Sequence, residues 1–199
     1  MRVLIRKGSL RAAIGCCRWA LGAAGVLLLG YCVLVLGEER RFQREARLQL
    51  AAELRSASHR PPSAPLEVTA DGLIGRIEIA RLGISVMVVE GVDARTLRHA
   101  AGHIPRTALP GQSGNVGISA HRDTFFRPLR NIHRDDVVSV TTAHGEYRYH
   151  VTSTRIVSPA DVAVLEATEQ ETLTLVTCYP FYFVGPAPKR FVVRAERVL

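Results

Sequence analysis

The chain divides into one long uncharged apolar run near its start and a series of short alternating segments in its second half. Residues 19–37 read WALGAAGVLLLGYCVLVLG without a charged position. At about 1.5 Å per residue, a helix of that length comes just under the roughly 30 Å of a hydrocarbon core. The run predicts a transmembrane helix, with Arg18 at one end where its long side chain can snorkel to the interface. A cleaved signal peptide is the rival reading, but the run is long for such a segment and no small-x-small cleavage site follows it. Residues 38–59 are rich in Ala, Leu, Arg, Glu and Gln and continue the helix as a stalk. Phe42, Ala46, Leu50 and Leu54 recur every four residues, a weak stripe expected on a solvated stalk rather than on a dimer zipper. Pro61, Pro62 and Pro65 then end the helix in a stiff linker.

Beyond residue 67 the period changes. Residues 73–79 alternate, 84–89 form a second short run, and Arg81-Leu82-Gly83 supplies the turn between them. Further strand-like runs cover 115–119, 137–142, 147–157, 173–178 and 191–198. Short strands separated by Gly, Pro and Asp, with one or two helical turns near Thr96 and Val162, predict a closed all-β barrel. The expected organisation is a tail and membrane anchor over 1–37, a helical stalk and Pro-rich linker over 38–66, and a folded catalytic barrel over 67–199.

Charge sharpens this division. Residues 1–60 hold 11 Lys+Arg against 4 Asp+Glu, whereas the rest holds 15 against 14. The net charge of +8 therefore belongs to the N-terminal appendage, and the near-neutral folded part lacks the basic stripe of a nucleic-acid binder. Basic residues flank the apolar run equally, so positive-inside counting leaves the membrane orientation undecided. Of the four cysteines, Cys16, Cys17 and Cys32 lie in or beside the apolar run, and only Cys178 lies in the folded part. No disulfide framework or C-x-x-C zinc pattern is available.

Cys178 ends the run Thr172-Leu173-Thr174-Leu175-Val176-Thr177-Cys178-Tyr179-Pro180-Phe181. In an extended segment Leu173, Leu175 and Thr177 share one face, while Thr174, Val176 and Cys178 share the other. A thiol delivered to the rim of a sheet is a candidate nucleophile once a neighbouring cation favours its thiolate. His121 follows an apolar strand and is a candidate general acid. Arg190 opens the last strand and is a candidate oxyanion stabiliser. Taken singly, a lone Cys, His or Arg is structural or merely exposed in most proteins. Asp123 is placed either to orient His121 or to cap the following turn, with the cap favoured. His103 reads as a loop stabiliser, and His99, His133, His144 and His150 as surface residues. Phe125, Phe126, Tyr179, Phe181, Tyr182 and Phe183 form an aromatic wall near the candidate site, most of it packing.

The segments Gly102-His103-Ile104-Pro105, Thr107-Ala108-Leu109-Pro110-Gly111, Gly114-Asn115-Val116, His121-Arg122-Asp123-Thr124-Phe125-Phe126-Arg127-Pro128-Leu129, Thr174-Leu175-Val176-Thr177-Cys178-Tyr179-Pro180-Phe181 and Ala187-Pro188-Lys189-Arg190-Phe191-Val192-Val193 resemble the sortase family, most closely class D. The family signature T-L-x-T-C falls on Thr174 through Cys178 without a gap. The resemblance covers about residue 73 to the C-terminus. It implies an eight-stranded sortase barrel and a cysteine transpeptidase on the outer face of the cell membrane. On that resemblance His121, Cys178 and Arg190 are the catalytic residues, and Thr177 contacts substrate or oxyanion. The implied partners are proteins with an LPXTG-like sorting signal, cleaved after Thr through a thioacyl enzyme, and an amine acceptor on peptidoglycan or a pilin lysine. Membrane lipid would meet the N-terminal helix, and no nucleic acid is expected. Arg106 stands where many relatives have glycine, and Ser119-Ala120 where Ala-Gly often precedes the histidine. No carboxylate cluster suits the calcium site of some sortases, so no metal or cofactor is expected. A membrane-anchored cysteine hydrolase using water and a noncatalytic surface assembly protein remain the alternatives. An L,D-transpeptidase fits less well, because the cysteine of that family follows histidine and glycine.

Overall fold

The computed structural model describes residues 7–57, 72–183 and 185–198; the proline linker and the expected domain start at residue 67 fall outside them. The chain forms two compact units, one ending at Arg41 and the other running from Phe42 onward. Helix α1, Lys7–Ala57, carries the uncharged run, whose side chains are exposed, as at Leu27 and Val33. Among the described residues it is the one helix long and apolar enough to cross a membrane. A lone segment meets that demand as a helix because every backbone group is then paired within the segment itself.

The second unit contains a closed barrel of eight strands in the order β1-β2-β3-β4-β7-β8-β6-β5. These are β1 (Leu73–Ile79), β2 (Ile84–Glu90), β3 (Ala101–His103), β4 (Asn115–Ser119), β5 (Val137–Thr142), β6 (Gly145–Val157), β7 (Thr172–Tyr179) and β8 (Lys189–Arg197). Most neighbours are antiparallel, but β2 with β3 and β4 with β7 run parallel, which requires crossover connections. Helix α2, Ala94–His99, makes the first crossover, capped by Asp93, whose carboxylate accepts from the Arg95 and Thr96 amides. The turn after β1 ends on Gly83 at φ 65, a left-handed conformation that glycine adopts without a Cβ clash.

Alternation sets the core. Ile77, Ile79, Val86, Val88, Val116, Ile118, Val138, Val140, Leu173, Leu175 and Val193 point inward with Tyr149 and Phe126, each burial being worth about 1.5–3 kcal/mol for an aliphatic side chain. β3 went unread in the sequence because Ala101-Gly102-His103 is too short to show a period. It is held by Val88 opposite Ala101 on one side and His103 opposite Ile118 on the other. The short 3₁₀ turn Arg127–Asn131 was likewise not anticipated.

The stalk reading needs correction. Ala46 and Leu50 are buried against Leu73 and Met87, with Phe42 packed beside them. Met87 faces outward from β2, between the inward Val86 and Val88, so its side chain needs a cover from outside the barrel. Its amide donates to Gln43 Oε1 at 3.1 Å, and Gln43 Nε2 donates to the His99 carbonyl at 2.7 Å. The β2–β3 ladder begins only at Val88, and the glutamine takes the place of a strand partner for the preceding amide. His99, expected at the surface, is half-buried with its ring 5.9 Å from Phe42. Phe42, Ala46 and Leu50 of the stripe are thus a docking face for the barrel's own outer wall, while Leu54 stays exposed.

Asp136 ties two turns together. Its buried carboxylate accepts from the Arg81 guanidinium and from the His133 amide at 2.7 Å. The hydrogen bond from Arg81 is the main cause holding the Asp136 carboxyl below its usual range. A depressed folded value contributes stability above the unfolded value of about 4 and loses it as pH falls through the folded value. Asp136→Asn is expected to cost about 1 kcal/mol at pH 7, since Arg81 is partly exposed and screened. Chemical denaturation from pH 7 downward checks this: the gap between variant and wild type should close below about pH 4.

Candidate active site

β7 lies between β4 and β8, and that placement assembles the candidate residues. Its inward positions Leu173, Leu175 and Thr177 are buried, whereas Val176 and Cys178 are half-buried on the opposite face, the parity read from the sequence. Cys178 sits directly opposite Arg190 in the antiparallel ladder with β8. Directly opposed residues share a face with Cβ atoms about 5 Å apart, so the thiol and the guanidinium stem emerge together. Arg190 Nη1 donates to the Ala187 and Lys189 carbonyls at 3.2 and 3.0 Å, which restrains the guanidinium at the mouth of the loop before β8.

The third candidate arrives from the other side. β4 runs parallel to β7 with Ser119 opposite Val176. The Ala120 amide extends that pairing by donating to the Val176 carbonyl at 3.3 Å. Thr177 completes the join: its Oγ1 donates to the Ala120 carbonyl at 2.8 Å. The next residue is His121, exposed at the rim, with its carbonyl accepting from the amide of the fully buried Phe126 at 3.1 Å. The register therefore brings His121, Cys178 and Arg190 to one end of three adjacent strands. Thr177, expected to touch substrate or oxyanion, has its hydroxyl engaged inside the barrel in holding the segment that ends on His121.

The floor and wall beside this rim are polar but fully wired. Thr174 Oγ1 donates to Asn115 Oδ1 at 2.7 Å, and Asn115 Nδ2 donates to the Val164 and Glu166 carbonyls at 3.1 and 3.2 Å. Those bonds seat the 3₁₀ turn Val162–Leu165 over the outer face of β7. Between the turn and the sheet lies a cavity of about 250 Å³ lined by Arg155, Asp161, Thr174, Val192 and Arg194 among others. Thr174 shares the outward parity of Cys178, so this cavity continues the face that carries the thiol.

His103 is buried, with Nδ1 2.7 Å from Glu90 Oε2 and Nε2 3.0 Å from both the Ala108 carbonyl and Thr107 Oγ1. Thr107 Oγ1 donates to the Ile104 carbonyl at 2.7 Å and accepts from the Gly117 amide at 3.0 Å. The imidazole is thus enclosed by acceptors and ties the loop after β3 to β2 and β4, in agreement with a loop-stabilising role. Asp123, expected to cap its turn, instead has Oδ1 3.4 Å from Arg122 Nε, and no cap from it occurs among the described hydrogen bonds. Phe126 is core, Phe125 and Phe181 pack against the core, and Tyr182 and Phe183 stay exposed.

Two residues of the site region were not singled out from the sequence. Asn115 lies inside a quoted motif, but its bridge to the 3₁₀ turn spans residues far apart in the chain. Arg122, beside the histidine, is 6% exposed, and a charged side chain in a polar loop gives no sequence signal for such burial.

Comparison with known proteins places the fold in a family. A family model described as Sortase domain matches residues 77–198, and the chain belongs to the sortase family. Sortase D of Bacillus subtilis (strain 168) is 36% identical over 125 residues, 62% of this chain and 63% of that protein; the match spans less than two thirds of that relative's length. The fold is similar to that of a Clostridium perfringens Sortase D5 transpeptidase, with a TM-score of 0.65 and 24% identity over 81% of this chain and 98% of the other. Sortase C-1 from Actinomyces oris gives a TM-score of 0.62 and 27% identity over 76% and 99% of the two chains. The expected family and the closed eight-stranded barrel are both borne out.

The departure at Arg106 has a conformational basis. Its φ is 69°, in the left-handed region where an L residue with a Cβ is penalised by about 1–2 kcal/mol. Arg106→Gly is expected to raise stability by about 0.5–1 kcal/mol, the relief of strain being partly offset by the greater unfolded entropy of glycine. Denaturant midpoints of the two proteins at equal slope measure it.

Proposed function

We propose that the chain is a membrane-anchored sortase transpeptidase in which Cys178 is the nucleophile, His121 the proton carrier and Arg190 the oxyanion partner. The observation that carries this reading is the register: Cys178 stands opposite Arg190 in one ladder, and the parallel ladder on its other edge leads to His121. The substrate is a protein with an LPXTG-like sorting signal lying along the outer face of β7, where the cavity beside Thr174 and Val192 accepts residues on the N-terminal side of the cleaved bond.

The cysteine thiolate attacks the carbonyl carbon of the sorting-signal threonine, forming the S–C bond and placing negative charge on the carbonyl oxygen. A guanidinium held at the mouth of its loop meets that charge without reorganising at the moment of reaction. Collapse breaks the C–N bond, and His121 gives its proton to the departing amine. The thioester then waits on Cys178. An incoming amine, from a peptidoglycan precursor or a pilin lysine, attacks it, passes its proton to His121 and releases the thiolate, so the amide lost from the substrate is remade with a new partner. No net hydrolysis occurs, which separates this reading from a cysteine hydrolase using water.

Helix α1 would hold the enzyme in the cell membrane by a single pass, with the barrel on the outer side where sorting signals and wall amines meet. Protease added to intact spheroplasts should remove the barrel from this protein, and full protection would contradict the topology.

Full-length protein in detergent, given a sorting-signal peptide and an amine, is expected to yield the transpeptidation product and a thioacyl adduct on Cys178. Cys178→Ala abolishes both. Arg190→Ala lowers kcat by about 10²–10³-fold, the usual loss on removing an oxyanion donor. Turnover retained in Cys178→Ala, or release of acid alone in the presence of amine, would sink the reading.

A further inference from the structure

The guanidinium of Arg122 is buried beside the candidate histidine, yet the chemistry above gives it no task. Burying a cation is costly unless its donors find acceptors. Here they find three carbonyls: Nη1 donates to Pro180 at 3.0 Å, and Nη2 donates to Phe183 at 2.6 Å and to Gly185 at 3.1 Å. All three belong to the loop between β7 and β8, whose ends carry Cys178 and Arg190. The Phe183 ring lies over the same group, with its centroid 5.9 Å from Arg122 Cζ, and the exposed Asp123 carboxylate is 3.4 Å from Nε.

We infer that Arg122 is a positioning residue that locks the β7–β8 loop to the histidine segment and so sets His121 against the Cys178–Arg190 pair. The connection is short in chemical terms. One peptide bond separates Arg122 from His121, and two separate Pro180 from Cys178. The Ala120 carbonyl is bonded to Thr177 and the Arg122 side chain to Pro180, so the histidine is clamped to the cysteine strand from both sides of its own position. A planar guanidinium can reach three carbonyls spread over six residues of loop because its donors fan out in a fixed plane, whereas an ammonium on a single flexible stem cannot satisfy the same set. Its demand is therefore for geometry as well as charge.

This inference rests on the reading of Cys178, His121 and Arg190 as the reacting groups, and the test separates the two. Full-length wild type, Arg122→Lys and Arg122→Ala are compared with a sorting-signal peptide and an amine acceptor, alongside thermal unfolding. Arg122→Lys is expected to lower kcat on the order of 10–100-fold, the scale of a misplacement of about 1 Å, with KM for the peptide changed less than threefold. Millimolar guanidinium chloride, far below denaturing levels, is expected to restore part of kcat in Arg122→Ala and none in Cys178→Ala. Limited proteolysis should cut within residues 180–188 faster in both Arg122 variants while the barrel stays intact. Wild-type kcat in Arg122→Lys overturns the assignment. So does a loss that follows the fall in Tm, without guanidinium rescue and without loop cleavage. A wild type that forms no thioacyl adduct overturns the transpeptidase reading itself and takes this inference with it.

Discussion

β7 is bonded along both edges, to β4 in parallel and to β8 in antiparallel register, and the site depends on that double pairing. A central strand held on two sides cannot slip by one residue without moving Leu173, Leu175 and Thr177 out of the core and the thiol into it. The burial of the two leucines therefore fixes which way Cys178 faces. The same ladders fix its neighbours, because a register that seats Val193 opposite Leu175 must also seat Arg190 opposite Cys178. The placement of the proposed nucleophile is here a by-product of hydrophobic packing one to five residues upstream.

Buried polar groups then complete what the apolar core leaves loose. The loop after β3 and the 3₁₀ turn before β7 are held by side chains. His103 with Glu90 and Thr107 serves the first, and Asn115 with Thr174 serves the second. These networks are directional, so they specify loop positions that dispersion forces alone would leave degenerate. Arg122 belongs to the same class of device, with one difference: its acceptors are backbone carbonyls of the loop joining the cysteine strand to the arginine strand.

Much of this was legible in the residues. Alternation from Leu73 to Ile79 and the run ending on Cys178 each predicted a strand and the side of it that would be buried. Resemblance supplied the family, which the comparisons bear out, and the pairing of Cys178 with His121 and Arg190. What escaped was whatever depends on a partner far along the chain. Ala101-Gly102-His103 becomes a strand because Val88 and Ile118 flank it, and nothing local announces that. Phe42, Ala46 and Leu50 form a stripe whose complement, Met87 and Leu73, lies on the outside of a barrel; a pattern one turn wide cannot say whether it faces solvent, a second helix or a sheet. Arg122 carried a surface residue's sequence signature and proved buried because three loop carbonyls converge on it.

The docked end of α1 changes what that half of the helix is. Phe42, Ala46 and Leu50 belong to the same compact unit as the barrel, so this end of α1 is part of the folded body and not a tether to it. Ala46 and Leu50 share one apolar cluster with Leu73 and Met87, and a barrel cut free of the helix end would bare that patch to water. The edge of the folded body therefore falls inside a continuous helix, at a point that no break in secondary structure marks.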